Sequence, residues 1–422
     1  MITTTQLAPG VVLTHCPDRR FKKCALSIQL LRPMCYEEAA LNALLPSVLL
    51  RGSRLHPDLR TITWRLDELY GASVHTMVRR VGNVQTVGLY LSLMEDRFAL
   101  EPEGVLAPAV EFLGELLFDP LTENGVFDGA VVDSEKKNLI SAIESELNDK
   151  RAYTAARMIR QMCQGDPYAV PRLGRVEDVA AITPEALYAH YRRILRESRA
   201  EITYVGAGSP ERVAELLLPF AGALGGGELY APDQYPLKPV AQPGEFSETM
   251  DVNQAKLTMG FTTEVDQRHP DYAAMQVFND LFGAGMTSKL FVNVREKLGL
   301  CYYAGSAYYG SKGMLTVSSG IDECNYEKTR DEILRQLRLC AEGQITEGEL
   351  SASKQSIVSA LRSIPDSPGS VEGYYAADRI LGVSLMLEDY ISAVETVTAE
   401  AVARCAGTLK LHTVYFLKGE GK

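Results

Sequence analysis

The segment NDLFGAGMTSKLFVNVREKLGLCYY, residues 279–303, changes its hydrophobic period several times within a short length. The pattern predicts the end of a helix, a turn at Gly283 and Gly285, a short amphipathic helix and, after a stop at Gly299, a strand. Glycine has no Cβ and adopts positive φ at little cost, so we expect that conformation at the turn and at the helix end.

Arg295 and Tyr302 are the polar side chains that this segment singles out, Arg295 near the predicted helix end and Tyr302 at the start of the strand. A guanidinium and a phenol placed in this way can hold a carbonyl oxygen or a peptide chain between them. A surface Arg in an ion pair and a half-buried strand Tyr fit the same spacing. Tyr303, Tyr308 and Tyr309 either extend a peptide-binding surface or pack within the sheet.

The size and charge of the chain limit the classes of protein to which it can belong. A chain of 422 residues is too long for one ordinary core and predicts two domains or two halves of one pseudo-symmetric unit. A net charge of -11 and the lack of a basic stripe argue against a nucleic-acid partner. Arg79-Arg80 and Arg192-Arg193 are isolated doublets that solvated faces explain. No apolar run approaches the roughly 20 residues that cross a bilayer, and no secretory signal is visible, so we expect a cytoplasmic protein.

The cysteines form no C-x-x-C pair, which argues against a zinc ribbon or a redox dithiol. Buried thiols are expected instead. The eight cysteines are Cys16, Cys24, Cys35, Cys163, Cys301, Cys324, Cys340 and Cys405.

Periodicity predicts an α+β chain. Helices are expected at 37–50, 59–69, 106–117, 130–161, 183–195, 271–281, 326–341, 347–362 and from 398 onward. Strands are expected at 10–14, 24–31, 73–80, 83–92, 200–208, 254–261, 301–309, 314–320 and 412–419. Pro46 should kink or break the first helix, and Asn148 and Asp149 should interrupt the long fourth helix. Thr183 and Pro184 have the character of an N-cap and a first helical residue.

The order of elements repeats along the chain. The string ITPEALYAHYRRIL before a strand is matched by VTAEAVARCAGTLK before the last strand, with Thr183 and Thr398 in equivalent positions. The Gly- and Pro-rich residues 222–244 have no apolar period and predict a linker. We therefore predict a tandem duplication, with one α+β repeat at 1–221 and a second at 245–422, which can close like a clamshell.

At this point the chain resembles the insulinase/pitrilysin-like peptidases, which include mitochondrial processing peptidase and the core proteins of respiratory complex III. The resemblance rests on the two repeats, the string FGAGMTSKLFVNVREKLGLCYY and the late TAEAVARCA helix, and it covers essentially the whole chain. It implies a fold of two tandem repeats like that of the processing peptidases.

Active members of that family bind zinc with an inverted H-x-x-E-H motif on a helix of the first repeat and a later Glu. On this pattern Ala43, Pro46 and Ser47 stand where the two His and the Glu should be, and Ala142 stands at the third ligand position. None of these side chains is a usual zinc ligand. Glu135, Glu144 and Glu146 lie near the last position. His56 and His75 are the histidines nearest to the first helix on its C-terminal side and could meet in space. The chain has four other histidines, His15, His190, His269 and His412, and no H-x-x-x-H.

The resemblance further implies that Arg295 and Tyr302 hold the substrate backbone and the developing oxyanion, with Tyr303 beside them. Some relatives divide the work between a zinc-bearing subunit and a partner that lacks zinc. We therefore expect a non-catalytic subunit, without metal or cofactor, that pairs with a zinc-bearing homologue or with itself and binds an extended peptide. The alternatives are a purely structural scaffold, an active zinc peptidase with an unrecognised site, and an enzyme of unrelated mechanism.

A narrower resemblance links three strings to a bacterial non-peptidase branch associated with the aminopentanol modification of elongation factor P. The strings are LLPSVLLRGSRLHPDLRTITWRLDELYGA, EKKNLISAIESELNDKRAYTAARM and ALRSIPDSPGSVEGYYAADRILG. This resemblance implies a connection with elongation factor P, although the residues show no chemistry suited to modifying a side chain.

Overall fold

The computed structural model describes residues 2–146, 148–225 and 235–420. Along the chain the strands are β1 (Thr3–Ala8), β2 (Val11–Pro17), β3 (Lys23–Pro33), β4 (Ser73–Val81), β5 (Val84–Met94), β6 (Thr122–Glu123), β7 (Val126–Phe127), β8 (Arg199–Gly206), β9 (Gly244–Met250), β10 (Ala255–Thr262), β11 (Cys301–Tyr309), β12 (Met314–Ile321) and β13 (Lys410–Gly419). The helices are α1 (Tyr36–Leu49), α2 (Leu59–Glu68), α3 (Leu106–Phe118), α4 (Gly129–Ser145), α5 (Lys150–Met162), α6 (Val176–Ala181), α7 (Pro184–Glu197), α8 (Pro210–Ala223), α9 (Tyr272–Asn279), α10 (Tyr326–Ala341), α11 (Glu347–Ser363), α12 (Pro368–Leu381), α13 (Leu387–Glu395) and α14 (Ala399–Thr408).

The described residues form two compact units. Unit 1 takes those within 1–144, 170–233 and 364–382, and unit 2 takes those within 145–169, 234–363 and 383–422. Each unit therefore contains one segment from the other half of the sequence. The compact units differ in this respect from the contiguous ranges 1–221 and 245–422 that the repeat pattern predicts.

Each unit is built on one mixed β-sheet with the same internal order. Sheet 1, in unit 1, runs β1-β2-β8-β3-β5-β4, and sheet 2, in unit 2, runs β11-β12-β10-β13-β9. Apart from β1, the order β2-β8-β3-β5-β4 corresponds to β9-β13-β10-β12-β11. The first pair is parallel and the other pairs are antiparallel in both. This agreement supports a duplicated α+β unit, and the predicted α+β class is confirmed.

The two faces of sheet 1 have different chemistry because successive side chains of a strand point to opposite sides. On β3, Leu26, Ile28 and Leu30 belong to the main apolar core of unit 1, which also contains residues from α1, α3 and α7. The alternate residues Ser27 and Gln29 are buried and bond to α12. Helix α12, from the second half of the sequence, thus covers the polar face of sheet 1.

Sheet 2 is covered in the same way by α5, which comes from the first half of the sequence. Met158 and Met162 of α5 pack against Gly260 of β10, where a Cβ atom would lie 2.5 Å from the Met162 sulfur. Met158 and Met162 belong to a small apolar core with Met314 and Tyr415. The absence of a side chain at Gly260 therefore lets α5 lie close to the sheet.

Several predictions about local structure are confirmed and others are wrong. Asp149 interrupts the long helix and caps α5, since its carboxylate accepts the backbone N–H groups of Arg151 and Ala152. The capping role of Thr183 is also confirmed, because its hydroxyl accepts the N–H of Ala186. Helix α1, however, continues through Pro46 without a break.

The predicted linker at 222–244 begins inside α8 and ends where β9 starts, and 235–243 form no helix or strand. Residues 226–234 of that linker lie outside the described residues. The expectation of solvated Arg doublets is wrong at two positions, because Arg79 bonds to buried Glu372 and Arg193 bonds to Glu38. Within the described ranges, no helix is long and apolar enough to span a membrane.

Candidate functional site

Helix α1 carries the three positions that hold the metal-binding motif in active relatives. Ala43 and Pro46 are buried and Ser47 is half-buried. Their side chains offer a methyl group, a ring without a donor atom and one hydroxyl, whereas zinc sites are built from imidazole, thiolate and carboxylate. These three positions therefore lack the chemistry that a zinc site requires.

The acids of α4 do not replace the missing ligands. Ala142 and Glu144 are exposed, whereas Glu135 is buried and forms an ion pair with Arg51, directly after α1. Asn138 also donates to Glu135, at 3.2 Å. A carboxylate held by a guanidinium is already neutralised, so it is a poor ligand for a metal ion.

His56 and His75, which both follow α1 in the chain, do not share a site. The Nδ1 atom of His56 lies 2.8 Å from the carboxylate of Glu115, which also accepts the hydroxyl of Ser53. His75 lies instead beside the ring of Tyr90. Among the residues that the structure describes, no group of three or more His, Cys, Asp or Glu side chains could hold a metal ion.

Helix α1 also takes part in a buried polar network. Asn42 donates its amide to Gln85 at 2.9 Å and lies 2.7 Å from Nε2 of His190 on α7. Arg193 donates to Nδ1 of His190, at 3.0 Å, and to Glu38 of α1. Because Nδ1 accepts a bond, the proton of the neutral imidazole lies on Nε2 and points to Asn42. The network therefore requires a neutral His190, and burial lowers the pKa of this imidazole to about 4.

We expect acid to destabilise unit 1 through His190. The unfolded chain takes up a proton near the ordinary pKa of 6.5 and the folded chain only near 4, so folding stability falls as pH drops through this window. The loss should reach about 3 kcal/mol at the lower end. Denaturant titrations at pH 7 and pH 4 measure it, and His190→Gln, which keeps a donor toward Asn42, should show a much smaller loss. An equal pH dependence of the two proteins would contradict this role.

The Arg and Tyr of residues 279–303 are placed as the sequence predicts. A helical segment with wide, π-type turns runs from Leu290 to Lys297 and contains Arg295, and Tyr302 is the second residue of β11. The helix end at Gly299 has a φ of +60, which confirms the positive φ expected there.

The expected conformation of the earlier glycines is wrong, because neither Gly283 nor Gly285 has positive φ. They lie at a π-type turn, Asp280–Ala284, that is closed by the Gly285 N–H bond to Asp280. A Cβ at Gly283 would lie 2.7 Å from the backbone nitrogen of Ser306 on β11, and one at Gly285 would lie 2.9 Å from the carbonyl oxygen of Asp280. Close packing, rather than backbone conformation, requires glycine here.

Arg295 and Tyr302 are both open to solvent. The Tyr302 residue is 68% exposed and the Arg295 side chain 42% exposed. The Arg295 guanidinium lies over the ring of Phe291, 4.8 Å from its centroid, and 3.6 Å from the carboxylate of Glu296. Within the described part of the chain, the Tyr302 hydroxyl makes no hydrogen bond. Both groups are thus available to bind an external molecule.

The neighbouring tyrosines have internal partners. The ring of Tyr303 lies against the guanidinium of Arg151 on α5, 4.5 Å from its centroid, and burial raises the pKa of Tyr303 to about 12. Tyr308 donates its hydroxyl to the carbonyl of Val265 at 2.6 Å, and Tyr309 packs against the core beneath α5. Of the tyrosines on β11, Tyr302 therefore has the greatest freedom to contact a ligand.

Comparison with known proteins identifies the relatives of this fold. Residues 181–357 match the family model described as the peptidase M16 inactive domain. The chain is 32% identical over 404 residues to the probable inactive metalloprotease YmfF of Bacillus subtilis, covering 95% of this chain and 94% of the relative. It is 24% identical over 235 residues to the uncharacterised zinc protease YmxG of the same bacterium, covering 55% and 56% of the two chains.

Solved structures show the same fold over the full length. A conserved protein from Enterococcus faecalis superposes with a TM-score of 0.94 at 29% identity, covering 100% of this chain and 99% of that one. A peptidase M16 inactive domain from Pseudomonas fluorescens superposes with a TM-score of 0.80 at 16% identity, covering 100% and 98%.

Fold and sequence together define an inactive metallopeptidase homologue. The chain belongs to the M16 peptidase family. Within that family it is a non-catalytic homologue.

Proposed function

We propose that this chain is the zinc-free subunit of a peptidase pair, in which it binds an extended peptide and supplies Arg295 and Tyr302 to a zinc-bearing homologue. The observation that carries the proposal is the exposure of both side chains on one segment, in a chain whose own metal-binding helix has no ligands. A solvent-exposed guanidinium and phenol can donate to a peptide carbonyl and to a developing oxyanion.

Two further observations support the proposal. Among the described strands, β11 pairs only with β12, so an extended peptide could add to its other side through main-chain hydrogen bonds. In addition, Bacillus subtilis contains both the probable inactive metalloprotease YmfF and the uncharacterised zinc protease YmxG, so a bacterium can hold both kinds of chain. A homodimer of this chain, without the zinc-bearing homologue, would offer no metal to the peptide.

The link to elongation factor P remains part of the proposal. It is supported by the likeness of three sequence strings alone, and Arg295 and Tyr302 have no chemistry for modifying a side chain. Cells that lack this chain should contain elongation factor P without the aminopentanol mass. An unchanged mass would remove this part of the proposal and leave the peptide-binding part intact.

The double variant Arg295→Lys/Tyr302→Phe separates the proposal from a purely structural scaffold. It keeps the positive charge and the aromatic ring but removes the planar guanidinium fork and the phenolic donor. We expect the variant to assemble with the zinc-bearing homologue as the wild type does, while peptide cleavage by the mixture falls on the order of 10²-fold. Size-exclusion chromatography measures assembly, and cleavage of a fluorogenic peptide measures activity.

The matched control is Arg212→Lys/Tyr36→Phe, which makes the same chemical changes at exposed positions of unit 1. This control should leave both assembly and cleavage unchanged. If the Arg295 and Tyr302 variant kept full activity, the scaffold interpretation would hold. If the mixture cleaved no peptide even with the wild-type chain, the proposed contribution to catalysis would be wrong.

A further inference from the structure

Unit 1 contains a cavity of about 330 Å³ at one end of sheet 1. It lies where β3 begins, where β5 ends and where the chain leaves β8. Its lining includes Cys24, Glu95, Arg97, Tyr204 and Gly208. None of these residues belongs to α1 or to the segment that carries Arg295 and Tyr302, so the cavity is separate from the site described above.

The carboxylate of Glu95 is the central feature of this cavity. The residue is only 4% exposed, and its Oε1 atom accepts the backbone N–H of Ala207 at 2.7 Å. Its Oε2 atom makes no hydrogen bond with any described residue and is not fully occluded by protein, so it borders the cavity. Burial raises the pKa of Glu95, as expected for a carboxylate without a paired cation. A buried acceptor of this kind favours a cationic donor from outside the protein.

The nearby positive charge is at the rim of the cavity. Arg97 is held in place because it donates to the backbone carbonyls of Arg19 and Phe21, at 2.6 and 2.8 Å. The Arg19 side chain lines the cavity, is exposed and has no hydrogen bond or ion pair within the described part of the chain. The lining thus combines two guanidinium groups, Arg19 and Arg97, with the carboxylates of Glu95 and Asp96. Asp96 already accepts the backbone N–H groups of Val105 and Leu106, which leaves Glu95 as the acceptor for a ligand.

The part of the lining formed by Tyr204 and Gly208 is held by internal contacts. His15 stacks on Tyr204 and lies 2.7 Å from the carbonyl of Gly208, while the Tyr204 hydroxyl accepts the Gly208 N–H at 3.1 Å. A Cβ at Gly206 would lie 2.7 Å from Oε1 of Glu95. Glycine at this position therefore lets the chain close on the carboxylate, which fixes the position of Glu95 before any ligand arrives.

We propose that this cavity binds a free α-amino acid. The ammonium group is held by Oε2 of Glu95, the carboxylate by Arg19, and the side chain lies against Leu106 and Tyr204. A concave site of this size, in which charged groups converge beside apolar side chains, suits a small molecule. The proposal does not depend on the peptidase pairing, because it concerns different residues.

Isothermal calorimetry with three probes of one shape tests the proposal. L-Leucine carries both charged groups, 3-methylbutylamine lacks the carboxylate, and 4-methylpentanoate lacks the ammonium group. We expect L-leucine to bind with a Kd below about 1 mM, the amine to bind about tenfold more weakly, and the acid to give no heat at about 10 mM.

Two variants with matched controls assign the charges. Glu95→Gln keeps the oxygen that accepts the N–H of Ala207 and should lower the affinity for L-leucine at least about tenfold. The control Glu111→Gln, at an exposed position on α3, should leave this affinity unchanged. Arg19→Gln should lower the affinity for L-leucine to that for 3-methylbutylamine and leave the affinity for the amine unchanged. Arg192→Gln, at an exposed position, is the control for this variant. Thermal melting confirms that each variant is folded. The proposal would be overturned if L-leucine did not bind at about 10 mM. It would also be overturned if Glu95→Gln bound L-leucine as tightly as the wild type, or if 4-methylpentanoate bound as tightly as L-leucine.

Discussion

Replacing Glu372 by Ala should lower the free energy of unfolding of unit 1 by about 3 kcal/mol. Glu372 lies on α12, is 0% exposed, and accepts hydrogen bonds from Ser27 and Gln29 of β3 and from Arg79 of β4, at 2.7, 3.1 and 2.9 Å. Removing the carboxylate leaves buried donors without an acceptor, and their desolvation is then uncompensated. Arg79 is partly exposed and regains water, which keeps the loss at the lower end of the range for a broken buried ion pair.

Urea denaturation followed by circular dichroism measures this loss. Glu111→Ala, an exposed change on α3, is the matched control and should stay within about 0.5 kcal/mol of the wild type. The double variant Glu372→Met/Arg79→Met should recover part of the loss, because it removes both charges together. Equal stability of Glu372→Ala and Glu111→Ala would mean that the polar contacts of α12 do not stabilise sheet 1.

Local patterns in the sequence predict most of the individual elements. The caps at Thr183 and Thr398 and the interruption at Asp149 are visible because each depends on side chains within three residues of the helix end. The repeat predicts two matching sheets, and the strand orders agree with this prediction. Short-range chemistry of this kind can be interpreted without a structure.

The sequence does not show that α5, from the first half of the chain, belongs to unit 2. Nor does it show that α12, from the second half, belongs to unit 1. Glu372 stands in an ordinary amphipathic helix, and its partner Ser27 lies 345 residues earlier. Nothing in either string shows that one covers the other. The same limit applies to Gly283. Glycine is required there because of its close contact with Ser306 on β11 and not because of positive φ.

At the candidate site, too, the sequence predicts local features but not long-range contacts. The sequence places Arg295 at a helix end and Tyr302 at a strand start, and both placements are confirmed. It does not show that Tyr303 and Tyr308 have internal partners while Tyr302 is exposed. The cavity at Glu95 escaped sequence analysis altogether, because its carboxylate meets Ala207, which is 112 residues away along the chain. The acidic pair Glu95-Asp96 directly after an apolar strand is a local signal that could have drawn attention to it.

We expect this member of the M16 family not to bind zinc, because Ala43, Pro46 and Ser47 stand where the family resemblance places the ligands. Zinc affinity in such sites depends on imidazole and carboxylate donors, and a methyl group, a proline ring and one hydroxyl cannot replace them. A chelator should therefore change neither the stability of the isolated chain nor its lack of peptidase activity.

Mass spectrometry of metals in the purified chain, after dialysis against zinc-containing buffer and then zinc-free buffer, tests this claim most directly. A zinc-bearing homologue carried through the same steps is the positive control and should retain about one zinc per chain. We predict less than about 0.1 zinc per chain here, with no peptide cleavage. A value near one, together with proteolysis that a chelator abolishes, would contradict the account.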